Sequence, residues 1–296
     1  MPFILLLAIA LCSGLLVSLV FARVTPVGGA SAAVAEAIEE AAAEHAPQSW
    51  WQRRIDPETL KGLALSAAVA LLIAGGFAVA VLAFLVRRHA GLRSIDSGAA
   101  AWGNDHATRL STRLLTWVTD IGDLPLLAVI GVAIVLYELR RAPNRWIVPF
   151  VLTVVLGDQL ITTGIKDLVE RARPTLNPIA KTLGPSFPSG HSSTAASFYA
   201  ALALIMARGR SRRARALLAG AAAGIATAVA TSRVLLDVHW VSDVVAGVML
   251  GWAWFALCAI AFAGRHMRFG DLAGVNAAPS PNAGAAHRSA PPAAEV

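Results

Sequence analysis

Charge is scarce in this sequence. Asp, Glu, Lys and Arg make up 15% of its 296 residues, where an average soluble domain carries roughly a quarter. Apolar residues account for 56%, and the mean hydropathy is +0.63. A disordered chain is excluded on these grounds, and an ordinary soluble globule is disfavoured. Cysteine is almost absent. Cys12 and Cys258 lie in separate apolar runs with no second Cys and no His at ligand spacing. Neither a disulfide framework nor a zinc site is implied, and both read as small buried hydrophobes. Carboxylates are outnumbered by cations, 18 to 25, for a net charge of +7. In a soluble protein that excess would raise nucleic-acid binding. Here the basic residues flank apolar runs, so topology and anionic lipid headgroups explain them, and no nucleic-acid partner is expected.

What the chain has in abundance is apolar runs of membrane-spanning length. Seven are expected: Pro2–Ala22, Gly62–Val86, Leu114–Leu139, Trp146–Ile165, His191–Ala207, Ala216–Ser232 and Val241–Ala263. The third has Asp120, Gly122 and Asp123 near its start, leaving Leu124–Tyr137 as its apolar centre. The fold class predicted is an all-α polytopic membrane bundle with six core spans and one extra N-terminal span. Pro2–Ala22 lacks the basic start of a secretory signal and is long for one. A retained anchor over residues 1–22 is therefore expected, although Ala30-Ser31-Ala32 would suit cleavage. Residues 23–61 read as an Ala/Glu-rich helical linker followed by an interfacial segment at Trp50-Trp51-Gln52-Arg53-Arg54. Glu36, Glu39, Glu40 and Glu44 fit a solvated helix face better than a metal site. Residues 62–263 form the expected core. The Ala/Pro/Asn-rich tail, 264–296, is expected to be disordered and cytoplasmic.

Lys and Arg divide unequally between alternate loops. Segments 23–61, 140–145, 208–215 and 264–296 carry nearly twice as many as the opposite set. The positive-inside rule makes the first set cytoplasmic. The second set then faces the periplasm or exterior of a multi-pass cell (inner) membrane protein, although Arg87, Arg88 and Arg93 run against the trend.

Three polar clusters interrupt the apolar pattern, all on that outer side. In Lys166–Pro174, Lys166 and Arg173 are seven apart, nearly two helical turns, so a helix ended by Pro174 would put both cations on one face. Snorkelling at a helix end accounts for them equally well. In Pro185-Ser186-Phe187-Pro188-Ser189-Gly190-His191, Ser189 is a candidate N-cap, Gly190 allows close backbone approach to an anion, and His191 projects from the first turn. An ordinary helix start with a satisfied His fits this cluster too. In Ser232–Asp243, His239 and Asp243 are four apart, hence on one helix face, and the carboxylate can fix the imidazole tautomer. Arg233 lies six residues before His239, on nearly the opposite face of an unbroken helix. If both serve one site, the chain must turn between them. The remaining histidines, His45, His89, His106, His266 and His287, sit in no such cluster and read as structural or solvated.

Together the clusters hold three cations, two histidines, a carboxylate and a Ser-Gly helix start. This inventory suits a phosphate: cations neutralise its oxygens, one His can attack phosphorus, and the other can protonate the leaving oxygen. The motifs Lys166…Arg173-Pro174, Pro188-Ser189-Gly190-His191 and Ser232-Arg233…His239…Asp243 resemble the three-part signature of the type 2 phosphatidic acid phosphatases. That superfamily includes vanadium haloperoxidases and bacterial undecaprenyl-pyrophosphate phosphatases. The resemblance covers about residues 62–263; Ile95-Asp96, Trp102 and Asp120-Ile121-Gly122 are similar to bacterial members less specifically. It implies a phosphohistidine on His239, partnered by Asp243. It implies His191 as the acid on the leaving group, and Lys166, Arg173, Ser189, Gly190 and Arg233 as the phosphate cradle. It also implies no metal and no cofactor.

The expected function is metal-independent hydrolysis of a lipid phosphate or pyrophosphate, with a lipid substrate and membrane lipids as partners. A phosphotransferase moving the phosphate to another lipid headgroup shares these residues. A transporter or scaffold fits less well, because the charges gather at one face rather than at mid-membrane. Chain length, headgroup and oligomeric state are silent in the sequence.

Overall fold

A computed structural model describes residues 1–24, 60–88, 91–174 and 184–263. The linker expected over 23–61 and the tail over 264–296 fall almost wholly outside the described residues. Nine helices run through the rest: α1 Pro2–Val24, α2 Leu60–Arg87, α3 Arg93–Asp105, α4 Arg109–Asp120, α5 Leu124–Arg141, α6 Ile147–Val169, α7 Gly190–Met206, α8 Arg212–Leu235 and α9 Val241–Ala263. No strand occurs among the described residues. Among the described residues, five helices are long and apolar enough to cross a membrane, and α4 with α5 makes a sixth if the pair is one span. The protein is a multi-pass helical bundle whose outer surface carries large apolar side chains such as Leu11, Phe77 and Leu160, as a hydrocarbon surround requires.

Helix α7 forms the axis. Ser192 to Ser197 are all buried, and α6, α8 and α9 pack around them. With no apolar driving force between helices in lipid, small residues and close backbone approach take over. Gly247 and Gly251 of α9 face the start of α7, and a Cβ built on Gly247 would lie 3.0 Å from the Ser192 Cβ. That close fit brings the first turn of α9 over the N-terminus of α7, where Ser189 N donates to the Asp243 carbonyl at 3.0 Å. Inside the bundle, Asp158 of α6 accepts from Ser193 Oγ at 2.6 Å and Thr194 Oγ1 at 2.8 Å, so a buried carboxylate pins the same turn.

The α6 C-terminus, the α7 N-terminus, the α8 C-terminus and the α9 N-terminus meet at one end. Basic loops occupy the other, where buried Glu138 pairs with Arg141 at 2.8 Å, Arg210 at 3.2 Å and Arg208 at 3.6 Å. The polar clusters and the Arg-rich loops at 140–145 and 208–215 therefore sit at opposite ends.

Several sequence expectations need correction. The third run is two helices bent by 50°, broken at Ile121–Asp123 where Asp123 takes the N-cap position of α5 and Pro125 enters its first turn. Helix α4 itself is capped by a reciprocal Thr108–Ser111 box. Cys12 is exposed on the outer face of α1, and only Cys258 is buried.

Candidate active site

Each cluster takes its shape from the end of a helix. Helix α6 stops at Val169 because Glu170 adopts a left-handed conformation, φ 47°, with its N–H returned to the Lys166 carbonyl at 2.9 Å. Lys166 is thus on the last turn of α6, while Arg173 lies beyond it in extended chain. The expected shared helical face is incorrect. The non-helical exit lets both arginines of this segment reach across to α9 and its preceding turn. Helix α7 begins at Gly190 with Ser189 as N-cap, its hydroxyl accepting from Ser192 N at 3.4 Å, as expected. A Cβ built on Gly190 would lie 3.6 Å from Lys166 Nζ, which places the ammonium over the helix start.

The turn demanded between Arg233 and His239 is present. Helix α8 ends at Leu235, Asp237 takes a left-handed φ of 57°, and both Val238 N and His239 N return to the Arg233 carbonyl at 3.2 Å. His239 precedes α9 instead of riding on it, so the expected helical i,i+4 pairing is not the reason it meets Asp243. The contact forms because Asp243 Oδ2 folds back to accept from Trp240 N at 2.9 Å, leaving the same oxygen 3.5 Å from His239 Nδ1.

His239 is 2% exposed and held from both sides. Asp243 and Ser186 Oγ face Nδ1, and Ser186 Oγ also donates to Asp243 Oδ2. On the other side Arg173 Nη1 donates to Nε2 at 3.1 Å. A guanidinium only donates, so Nε2 carries the lone pair and the ring proton sits on Nδ1 toward the carboxylate. Burial, the largest influence, lowers the His239 pKa to about 4 against the opposing pull of Asp243, with Arg173 and Arg233 lowering it further. Burial lowers that of Arg173 as well, without threatening its charge. Arg173 is fixed by three carbonyls: Gly184 at 2.9 Å, Val238 at 2.9 Å and Pro185 at 3.3 Å. Arg233 is buried, donates to Thr119 Oγ1 at 2.9 Å, and has an Nε without a hydrogen-bond partner among the described residues. An unspent buried donor on a cation is suited to an anion.

Four contributors escaped the sequence reading. Asp123 hydrogen-bonds His191 Nε2 through Oδ1. Arg171 donates to Asp243 Oδ1, Ser242 Oγ and Asp96 Oδ2. Asp96 in turn accepts from Ser242 N at 3.0 Å and Ser242 Oγ at 2.8 Å, tying α3 to α9. Ser186 completes the cage around Asp243. In the sequence Asp96 stands only in the weaker likeness at Ile95-Asp96, Asp123 only near the start of the third run, and Arg171 and Ser186 inside the first two clusters without a role of their own. Chemically, the site offers an imidazole whose Nε2 lone pair faces Arg173, a second His with its own carboxylate, three cations and a helix N-terminus.

Comparison with known proteins is consistent with this inventory. The family model described as PAP2 superfamily matches residues 146–267. Phosphatidylglycerophosphatase B of Bacillus subtilis is 33% identical over 153 residues, 49% of this chain and 71% of that protein. Lipid A 1-phosphatase of Rhizobium etli is 34% identical over 124 residues, 38% of this chain and 48% of that protein. A crystal structure of a transmembrane PAP2-type phosphatidylglycerolphosphate phosphatase from Bacillus subtilis superposes with a TM-score of 0.60 at 27% identity, covering 68% of this chain and 99% of that one.

Proposed function

The chain belongs to the PAP2 superfamily, and from that membership we propose that it cleaves a lipid phosphate by covalent catalysis on His239, without a metal. It is an enzyme of the lipid phosphate hydrolase class, set in a membrane. The observation that supports the mechanism is the seating of His239 between Asp243 and Arg173, which keeps the proton on Nδ1 and turns the Nε2 lone pair toward a cation of the proposed phosphate cradle.

In the proposed reaction His239 Nε2 attacks phosphorus, and the bond from phosphorus to the leaving lipid oxygen breaks. His191 gives that oxygen a proton. Asp243 stabilises the imidazolium character that develops on His239. Lys166, Arg173, Arg233 and the N-terminus of α7, with Ser189 and Gly190, neutralise the equatorial oxygens. Water then attacks the phosphohistidine, His191 takes its proton, the N–P bond breaks, and inorganic phosphate leaves. Fixed cations supply the charge that a metal would bring elsewhere. The basic loops at the opposite end support placing this site on the periplasmic or exterior face of an inner membrane. The substrate class proposed is a phosphate monoester or pyrophosphate of a glycerophospholipid, lipid A or polyprenyl lipid.

The test is phosphate release by purified protein with excess chelator. The panel would hold phosphatidic acid, phosphatidylglycerophosphate, lipid A 1-phosphate and undecaprenyl pyrophosphate, each with and without an acceptor lipid. Chelator-resistant release and an acid-labile phosphoenzyme missing from His239→Ala are expected. Release dependent on divalent metal, or an active His239→Ala, would refute the mechanism. Transfer to the acceptor in place of release would make the enzyme a phosphotransferase.

A further inference from the structure

Helix α1 lies outside the segment matched by the family model, yet it is built into the bundle. Its large side chains, Leu11, Leu15 and Leu16 among them, point outward, whereas Leu6 is 1% exposed. Small residues make its seam with α8. A Cβ built on Gly14 would lie 2.9 Å from the Gly220 carbonyl oxygen, and one on Gly224 would lie 3.2 Å from that of Ala10. Ser18 Oγ donates to the Ala216 carbonyl at 3.0 Å, and Arg212 Nη2 to the Ala22 carbonyl. The helices therefore run antiparallel, with the N-terminus of α1 at the site end of α8.

At that end Leu6 and Phe3 pack into a cluster with Leu115, Leu235, Leu236 and Val238. The last three of these form the turn that carries the chain from Arg233 to His239. The Val238 side chain is buried in this cluster, while its carbonyl accepts from Arg173 Nη1 at 2.9 Å, the same nitrogen that donates to His239 Nε2. One apolar cluster, shared by α1 and this turn, thus stands behind the carbonyl that Arg173 holds.

We propose that α1 is a working part of the reaction centre, and that Leu6 is a positioning residue that acts through Val238 to hold Arg173 and His239 in register. The inference rests on reading that pair as catalytic. Truncating Leu6 leaves space that Val238 relaxes into. The turn then drifts, and Nε2 loses its line to phosphorus.

The experiment compares full-length wild type with Leu6→Ala, Leu6→Met and the lipid-facing control Leu16→Ala. Each is assayed on phosphatidylglycerophosphate in mixed micelles, with kcat normalised to monodisperse, folded protein. Leu6→Ala is expected to lose about tenfold or more in kcat, as small misplacements do, with KM little changed. Leu6→Met should recover most of the loss, and Leu16→Ala should match wild type. The acid limb of kcat/KM should also move upward in Leu6→Ala, because water admitted beside His239 weakens the burial that lowers its pKa, and drift of Arg173 away from Nε2 weakens a second lowering influence. Val238→Ala and the double variant complete a cycle in which the kcat losses should not add. Wild-type kcat per folded molecule in Leu6→Ala, an unmoved acid limb, or additive losses would each overturn the proposal. A wild-type enzyme silent on every lipid phosphate would instead sink the functional reading on which it rests.

Discussion

Arg171 Nη1 sits 2.5 Å from Asp243 Oδ1, while the Nη2 of the same guanidinium lies 2.7 Å from Asp96 Oδ2. One planar cation thereby compensates two buried carboxylates on different helices, with its face stacked near Trp240, 5.4 Å from the ring centroid. Arg171 is therefore a keystone of the site, with its guanidinium engaged by Ser242, Asp243 and Asp96. Breaking a buried pair typically costs about 3–5 kcal/mol because the abandoned charge remains buried. Arg171→Gln should lower the thermal midpoint and the turnover together. Arg171→Lys should recover only part of each, since an ammonium cannot fork between Asp96 and Asp243. Thermal unfolding in detergent alongside kcat checks this; a Lys variant equal to wild type would contradict the two-carboxylate role.

Asp123 and His191 make a second pair, separate from that of His239 and Asp243. If His191 protonates the leaving oxygen, Asp123 orients its ring. General acid catalysis contributes about 10²–10⁴-fold, and loss of the orienting partner forfeits part of it. Asp123→Asn should reduce kcat on a lipid phosphate by about tenfold or more. It should matter far less for an aryl phosphate, whose leaving group departs without a proton. Equal losses on both substrates would assign Asp123 to folding instead.

The low His239 pKa fixes a pH dependence. In the proposed mechanism attack requires neutral imidazole, and burial lowers the His239 pKa from 6.5 to about 4. The kcat/KM profile should hold through pH 5 and fall only as pH drops through about 4. Stability has the same sign: a His with a lowered folded pKa contributes stability above its unfolded value and loses it as pH falls below that value. An acid limb near the ordinary imidazole value would show that His239 is not desolvated as the geometry requires.

Much of this site was legible because its chemistry demands rare residues in a chain poor in charge. Lys166, Arg173, Arg233, His191, His239 and Asp243 stood out for that reason, and the need for a turn after Arg233 followed from helical geometry alone. Asp123, Asp96 and Arg171 did not declare themselves, because their partners lie about 70 residues away in sequence and are chosen by packing. The end of α6 was misread because Glu170 is not a residue that announces a left-handed cap. The buried stripe of α1 was invisible for a different reason. Its inward face mixes Phe3 and Leu6 with small Ala10, Gly14 and Ser18, and hydropathy does not separate these from the leucines that face outward.

Gly247 offers the cleanest separation of packing from chemistry. It bears no functional group, yet a Cβ there would stand 3.0 Å from the Ser192 Cβ and press still harder on the Ser189 carbonyl. Neither neighbour can yield easily. Ser189 is the N-cap of α7 and donates its N–H to the Asp243 carbonyl, and Ser192 Oγ donates to Ser189 Oγ at 2.9 Å. Overpacking a tight contact costs about 1–3 kcal/mol, so Gly247→Ala should still yield a folded bundle with a modestly lowered thermal midpoint. The displaced helix start should no longer present its N–H groups to a phosphate, so affinity for vanadate, a mimic of the transferring phosphoryl group, should fall disproportionately. Isothermal titration with vanadate beside thermal unfolding reads both. Unchanged vanadate affinity in a destabilised Gly247→Ala protein would mean that the N-terminus of α7 does not hold the anion.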